Sequence, residues 1–267
     1  MAWPAENKGK NPMKLVLLSD IHGNAVALEA VLNDIEPEKF DRIVCLGDVA
    51  TLGPQPVEVV DMLISLNPLC ITGNHEEALL QPERSREFGI FPGIQADLDW
   101  CLIQLQARHF NFIKKFERSA EINENGHRAI FCHGSPRSST EMMFPEMAKD
   151  TLSACLSGVA SDIVVNGHLH CQFDKIASGR RLINPGSVGM PFKVNPGPGR
   201  EPVMHGWAEY ALLSFPSADG KGAADFELEL RRVRYDFDKL RMAVESASLP
   251  GKAWWLRQAD SFVDAVI

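Results

Sequence analysis

Five short apolar runs in this chain break off in the same way, at a glycine beside an aspartate, histidine or asparagine. KLVLL leads into SDIHGN (19–24), RIVC into LGDVA (46–50), and PLCI into TGNHEE (72–77). HRAIF leads into CHGSP (132–136), and SDIVV into NGHLH (166–170). A brief apolar run closed by turn residues reads as a buried strand. In open α/β sheets, ligands bind outside the carboxyl ends of the strands. Five strand ends of this kind can converge on one site, and that requirement restricts the fold more than any other feature.

The intervening segments supply the helices. NAVALEAVLNDI (24–35) carries Leu28, Val31, Leu32 and Ile35 at helical spacing behind Asn24, an N-cap residue. PVEVVDMLISL (56–66) opens with Pro56 at a first helical position. Residues 77–118 lack β signals and read as a mostly helical excursion. Within it, Leu98, Cys101, Leu102, Leu105, His109 and Phe112 predict one helix from Asp97 to Phe116. MAKDTLSACLSG (147–158) predicts a helix stopped by Gly158. GRRLINPGSVG (179–189) predicts a strand and a turn. WAEYALLSF (207–215) and DFELELRRVRY (225–235) predict a hairpin, followed by two closing helices over 236–247 and 252–266. Residues 1–12 are expected to be a flexible extension, and 13–267 a single domain.

The strand ends gather Asp20, His22, Asp48, Asn74, His133, His168 and His170. With His75 the set takes five of the chain's 8 histidines. Carboxylate, imidazole and amide oxygen together suit Mn²⁺, iron, Zn²⁺, Ni²⁺ or Co²⁺. Seven ligands exceed the needs of one catalytic ion. They suit two ions about 3.5–4 Å apart, with a carboxylate between them to offset their repulsion.

The ordered series DIHGN, GD, GNHE, HG and GHLH resembles the calcineurin-like metallophosphoesterase superfamily. INPGSVG (183–189), Gly53-Pro54, HGSPR (133–137) and VRYDFD look like its small prokaryotic phosphodiesterase branch. The resemblance implies an α/β fold in which two mixed β-sheets pack as a sandwich flanked by helices. It also implies that Asp20, His22 and His170 hold one ion and that Asn74, His133 and His168 hold the other. Asp48 would bridge them, and His75 would be a proton donor near the leaving group rather than a ligand. Manganese or iron is the expected metal, and a hydroxide between the ions the expected nucleophile on phosphorus. Leu169 stands where the family more often has Thr. Gly167 is expected to let the backbone turn tightly, Arg137 to neutralise a phosphate oxygen, and Ser187 to sit at the rim of the site.

The expected activity is hydrolysis of a phosphodiester of a small or nucleotide-like substrate. Hydrolysis of dinucleoside polyphosphates, a phosphomonoesterase or protein phosphatase activity, and a non-catalytic scaffold remain alternatives. The net charge of -8 argues against extended nucleic-acid or membrane surfaces as partners. No apolar stretch reaches the length of a membrane span, and the first residues lack a signal peptide's apolar core. Six cysteines without a CxxC pair fit a reducing compartment, so a cytoplasmic location is expected. Oligomeric state stays open.

Overall fold

The computed structural model describes residues 12–144, 146–193, 201–216 and 225–261. The expected N-terminal extension, apart from Pro12, lies outside the described residues. So do most of the loop after Lys193, the predicted hairpin turn and the end of the last helix.

The chain opens with β1 (Met13–Leu18), α1 (Ala25–Ile35), β2 (Arg42–Cys45), α2 (Pro56–Leu66) and β3 (Leu69–Cys70). β1, β2 and β3 pair in parallel. The two late strands, β9 (Ala208–Phe215) and β10 (Glu227–Val233), add on antiparallel, giving the order β10-β9-β1-β2-β3. The second sheet has the order β4-β5-β6-β8-β7, built from β4 (Ser119–Glu124), β5 (His127–Cys132), β6 (Ile163–Asn166), β7 (Gln172–Ala177) and β8 (Arg180–Pro185). Its three central strands run parallel and both edges antiparallel. Both sheets are therefore mixed, and the fold class is α/β.

The apolar runs conceal a period of two, because both faces of each sheet are covered. Leu15, Leu17 and Val44 point between the sheets, where they meet Phe131, Val165, Ile183 and Leu213. The alternate residues Val16, Leu18, Ile43 and Cys45 pack outward on Leu28 and Val31 of α1 and on Val59, Val60 and Leu63 of α2. On the far side, Ile130, Val164 and Leu182 meet Leu152 and Cys155 of α6 (Lys149–Cys155). Each such leucine, isoleucine or valine contributes about 1.5–3 kcal/mol when fully buried. α7 (Phe237–Ser246) and α8 (Lys252–Ser261) close the first layer, with Trp255 buried and its indole N–H on Leu52 O.

The region 77–118 carries the end of α3 (Asn74–Leu80), a 3₁₀ segment over Pro82–Phe88, α4 (Pro92–Gln104) and α5 (Ala107–Ile113). The single helix expected from Asp97 to Phe116 is two. Leu105 and Gln106 are extended, and the Gln106 amide donates to His109 Nδ1, so a new helix start interrupts an apolar stripe that continues across it. His109 is buried against Asp61. Two strands escaped the sequence reading, β4 and β7. Both are sheet edges, and β7 has no buried residue. No helix among the described residues is long and apolar enough to cross a membrane.

Candidate metal centre

The loops that leave the parallel strands continue the sheet's lateral order. Asp20 N donates to Gly47 O and His22 N to Asp48 O, each at 3.0 Å, so the loops after β1 and β2 stay zipped. In the second sheet, Gly167 N donates to His133 O at 2.7 Å. The turn after β8 joins the two layers, because Val188 N and Gly189 N donate to Ser19 O and Asp20 O. Asp20, His22, Asp48, His168 and His170 all adopt left-handed backbone conformations, with φ between 45 and 66°. Such conformations are costly for residues with a Cβ, and they concentrate at functional sites.

The side chains meet in three overlapping groups whose ligand atoms lie within 4.8 Å of one another: Asp20–His22–His170, His22–Asp48–His75 and Asp48–His133–His168. Asn74 joins through its Oδ1, 3.1 Å from His133 Nε2. All seven expected ligands and His75 therefore share one centre, and all but His168 are buried.

The hydrogen bonds fix which atoms face inward. His22 Nδ1 lies on Thr51 O (3.2 Å), His133 Nδ1 on Leu46 O (2.7 Å) and His170 Nδ1 on Met190 O (2.7 Å). A carbonyl only accepts, so each Nδ1 carries the hydrogen and each neutral ring presents a lone pair at Nε2. Asn74 gives its amide hydrogen to Phe88 O and turns its oxygen inward.

The result is acceptor facing acceptor. His22 Nε2 and His170 Nε2 are 3.1 Å apart, and beside them Asp20 Oδ1 is buried without a hydrogen-bond donor. His133 Nε2 faces Asn74 Oδ1 and lies 3.2 Å from Asp48 Oδ2. Lone pairs this close in a buried site require a cation between them, either a proton or a metal ion. The donor set fits two metal ions.

Proton affinities follow the same logic. Burial disfavours a charged His133, but the Asp48 carboxylate outweighs burial and raises its pKa to about 10. Burial likewise opposes charge on His170, and Asp20 overcomes it, so its pKa is raised. Asp20 is pushed up by burial and pulled down further by the charge of His170, ending at about 2. His22 falls to about 3 and His168 to about 4, through burial and a neighbouring histidine in each case. In the absence of metal, Asp48 and Asp20 therefore favour a proton on His133 and on His170.

His75 reaches the centre from α3. Its Nδ1 is 2.6 Å from Thr51 Oγ1 and its Nε2 3.9 Å from Asp48 Oδ2. Burial lowers its pKa, and Asp48 opposes that in part. Two supporting residues carried no signal that sequence could reveal. Thr51 holds both His22 and His75. Glu76, which reads in sequence as a helix-start charge, is fully buried and accepts from Asp48 N (2.7 Å), Val49 N (2.8 Å) and Gly73 N (2.9 Å).

Three expectations change. Ser187 is not a rim group: it is fully buried, and its hydroxyl donates to Asp20 O and accepts from Met190 N. The NPGSVG turn folds under the site as the seam between layers, which carries Ser187 inward. Arg137 borders the site, but its guanidinium holds Glu141 through two nitrogens. Gly167 serves close approach rather than turning, since a Cβ there would lie 2.2 Å from Ser19 Oγ, and His168 makes the turn at φ 66°. Cys171 lies outside the candidate metal groups, with its thiol on Phe192 O.

Residues 13–208 match the calcineurin-like phosphoesterase superfamily domain. An uncharacterized protein of Methanocaldococcus jannaschii is 30% identical over 253 residues, covering 88% of this chain and 93% of its own. The crystal structure of a metallophosphoesterase from Sphaerobacter thermophilus is 25% identical, with a TM-score of 0.66 over 92% of this chain and 99% of that one. A hypothetical protein from Pyrococcus horikoshii shares the fold at 19% identity, with a TM-score of 0.70 over 89% of this chain and 94% of its own.

Proposed function

The chain belongs to the calcineurin-like phosphoesterase superfamily, and on that premise we propose that it hydrolyses a phosphodiester of a small or nucleotide-like substrate at a two-metal centre. The observation that carries the reading is the convergence of lone pairs: His22 and His170 Nε2 face each other beside the donorless Asp20 Oδ1. Asp20, His22 and His170 hold the first ion, and Asn74, His133 and His168 the second. Asp48 Oδ2 lies 3.8 Å from His22 Nε2 and 3.2 Å from His133 Nε2, a position between the groups that suits a bridge. Manganese or iron is the proposed metal.

When bound, the ions supply an activated water and neutralise charge on the phosphoryl oxygens. The chain's own residues do the rest. Nδ1–H bonds to Thr51, Leu46 and Met190 hold three imidazoles in the liganding tautomer and orientation. Glu76 fixes the backbone at Asp48. His75, held by Thr51 and not needed as a ligand, gives a proton to the leaving oxygen. The reacting partner is a small phosphoester rather than a polymer or a membrane surface. A cytoplasmic setting suits the free thiols of all six cysteines.

A panel of diesters, monoesters and dinucleoside polyphosphates, assayed with Mn²⁺, Ni²⁺ and Mg²⁺, tests the reading. Diesters are expected to give the highest kcat/KM. Preference for a monoester or a dinucleoside polyphosphate transfers the assignment to that class. Two bound ions with no turnover of any phosphoester would leave a scaffold.

A further inference from the structure

A cavity of about 360 Å³ adjoins the centre, within the size range of small-ligand sites. A smaller recess lined by His133 leads to it, and Arg118, Arg137 and Glu77 border both. Two of the guanidinium groups on these walls are matched, Arg137 by Glu141 and Arg84 by Glu87, while the Glu77 carboxylate takes a hydrogen bond from Ser139. Arg118 differs: it is exposed, and it has neither a hydrogen bond nor an ion pair among the described residues.

The backbone at this position is not free to drift. Glu117 N donates to Cys70 O at 2.9 Å and Thr72 N to Glu117 O at 2.8 Å. The returning excursion is thus stitched at Glu117 to the end of β3, two residues before Asn74, and Ser119, just after Arg118, begins β4 of the other sheet. A fixed backbone therefore places Arg118, without an ion-pair partner among the described residues, on the wall shared by the recess that His133 lines and the larger cavity. In the larger cavity, the hydroxyls of Ser138 and Thr140 lie 3.1 Å apart.

We propose that Arg118 is a specificity-determining residue that binds a second phosphate of the substrate, beyond the one that is cleaved. This inference rests on the phosphoesterase reading and narrows its substrate class to phosphoesters that carry a further terminal phosphate. A planar guanidinium takes two oxygens of one anion. The hydroxyl pair adds donors, and a terminal phosphate with three free oxygens uses more of them than a carboxylate does.

The test compares thymidine 3′,5′-bisphosphate with thymidine 5′-monophosphate, by calorimetry, on the metal-loaded chain and its R118A and R118K variants. The wild-type chain is expected to prefer the bisphosphate. R118A should reduce that preference by about 10–100-fold, the range for hydrogen bonds to charged groups. R118K should retain part of it. In parallel, the kcat/KM ratio for p-nitrophenyl thymidine 5′-phosphate with and without a 3′-phosphate should fall in R118A by a similar factor. No preference in the wild type, or the same preference in R118A, overturns the proposal. A preference lost in R118A with no hydrolysis of either ester keeps Arg118 as the anion site and removes the phosphoesterase reading instead.

Discussion

Replacing Glu76 by alanine tests whether the centre is built by its supporting residues. The carboxylate is fully buried and takes hydrogen bonds from three backbone amides, those of Asp48, Val49 and Gly73. Truncation leaves three buried N–H groups without a partner, each worth about 1–3 kcal/mol. Two terms offset this. The buried charge no longer has to be desolvated, and its repulsion of Asp48 ends; together they raise the Glu76 pKa to about 7. Removing one member of a buried charged network costs about 3–5 kcal/mol net, and that is the loss expected in urea denaturation of the metal-free chain. Because Asp48 N and His75 N are tied to Glu76 and Asp48, metal affinity should fall as well. Glu76→Gln keeps the shape but turns an NH₂ towards amide donors, so it should fall between wild type and alanine. If Glu76→Ala stays within about 1 kcal/mol of wild type and binds metal as tightly, the reasoning about the Asp48 loop is wrong.

Four further outcomes follow from the geometry. His133 has a pKa raised from 6.5 to about 10, so its contribution to metal-free stability is full below 6.5 and is lost as pH rises through 10. Metal ions must displace that proton, so calorimetry in buffers of different ionisation enthalpy should show proton release on binding at pH 7, and affinity rising with pH. Gly73→Ala should abolish binding at the bridge, because its Cβ would lie 2.1 Å from Asp48 Oδ1; a metal stoichiometry by elemental analysis equal to wild type would refute this. Ser187→Ala should cost about 1–2 kcal/mol in denaturation with no change in KM, since the hydroxyl holds Asp20 O and Met190 N rather than substrate. His75→Ala should keep its metals yet slow esters with alkyl leaving groups more than nitrophenyl ones, and remove a fall in rate whose midpoint lies below the ordinary imidazole value of 6.5.

The residues that meet at the centre were legible because their signal is local: an apolar run, a glycine, then a ligand-type residue. Strands that end together bring such residues together whatever lies between them. Residues that support the centre gave no such signal. Glu76 looks like any acid in a first helical turn, and only the fold puts Asp48, Val49 and Gly73 around it. Arg118 lies in a segment without pattern, and its place depends on a crossing between sheets that no periodicity marks. β7 buries no residue and so shows no apolar alternation, while β4 does alternate, but Glu124 stands beside Ala120 and Ile122 on its buried face and masks the pattern. The apolar stripe over 97–116 reads as one helix because it persists across the extended Leu105 and Gln106. The burial of Ser187 is not legible because a turn's chemistry does not say on which side of a sheet end it folds.

These strand ends are proposed to hold two ions that together drive phosphoester hydrolysis. The most direct measurement strips the chain with a chelator and restores Mn²⁺ stepwise, following bound metal and turnover of bis-p-nitrophenyl phosphate together, for wild type and Asp48→Asn. Two ions per wild-type chain are expected, with activity that returns only with both and loss of both properties in Asp48→Asn. Full activity with one ion or none, or undiminished activity in Asp48→Asn, would contradict the proposal.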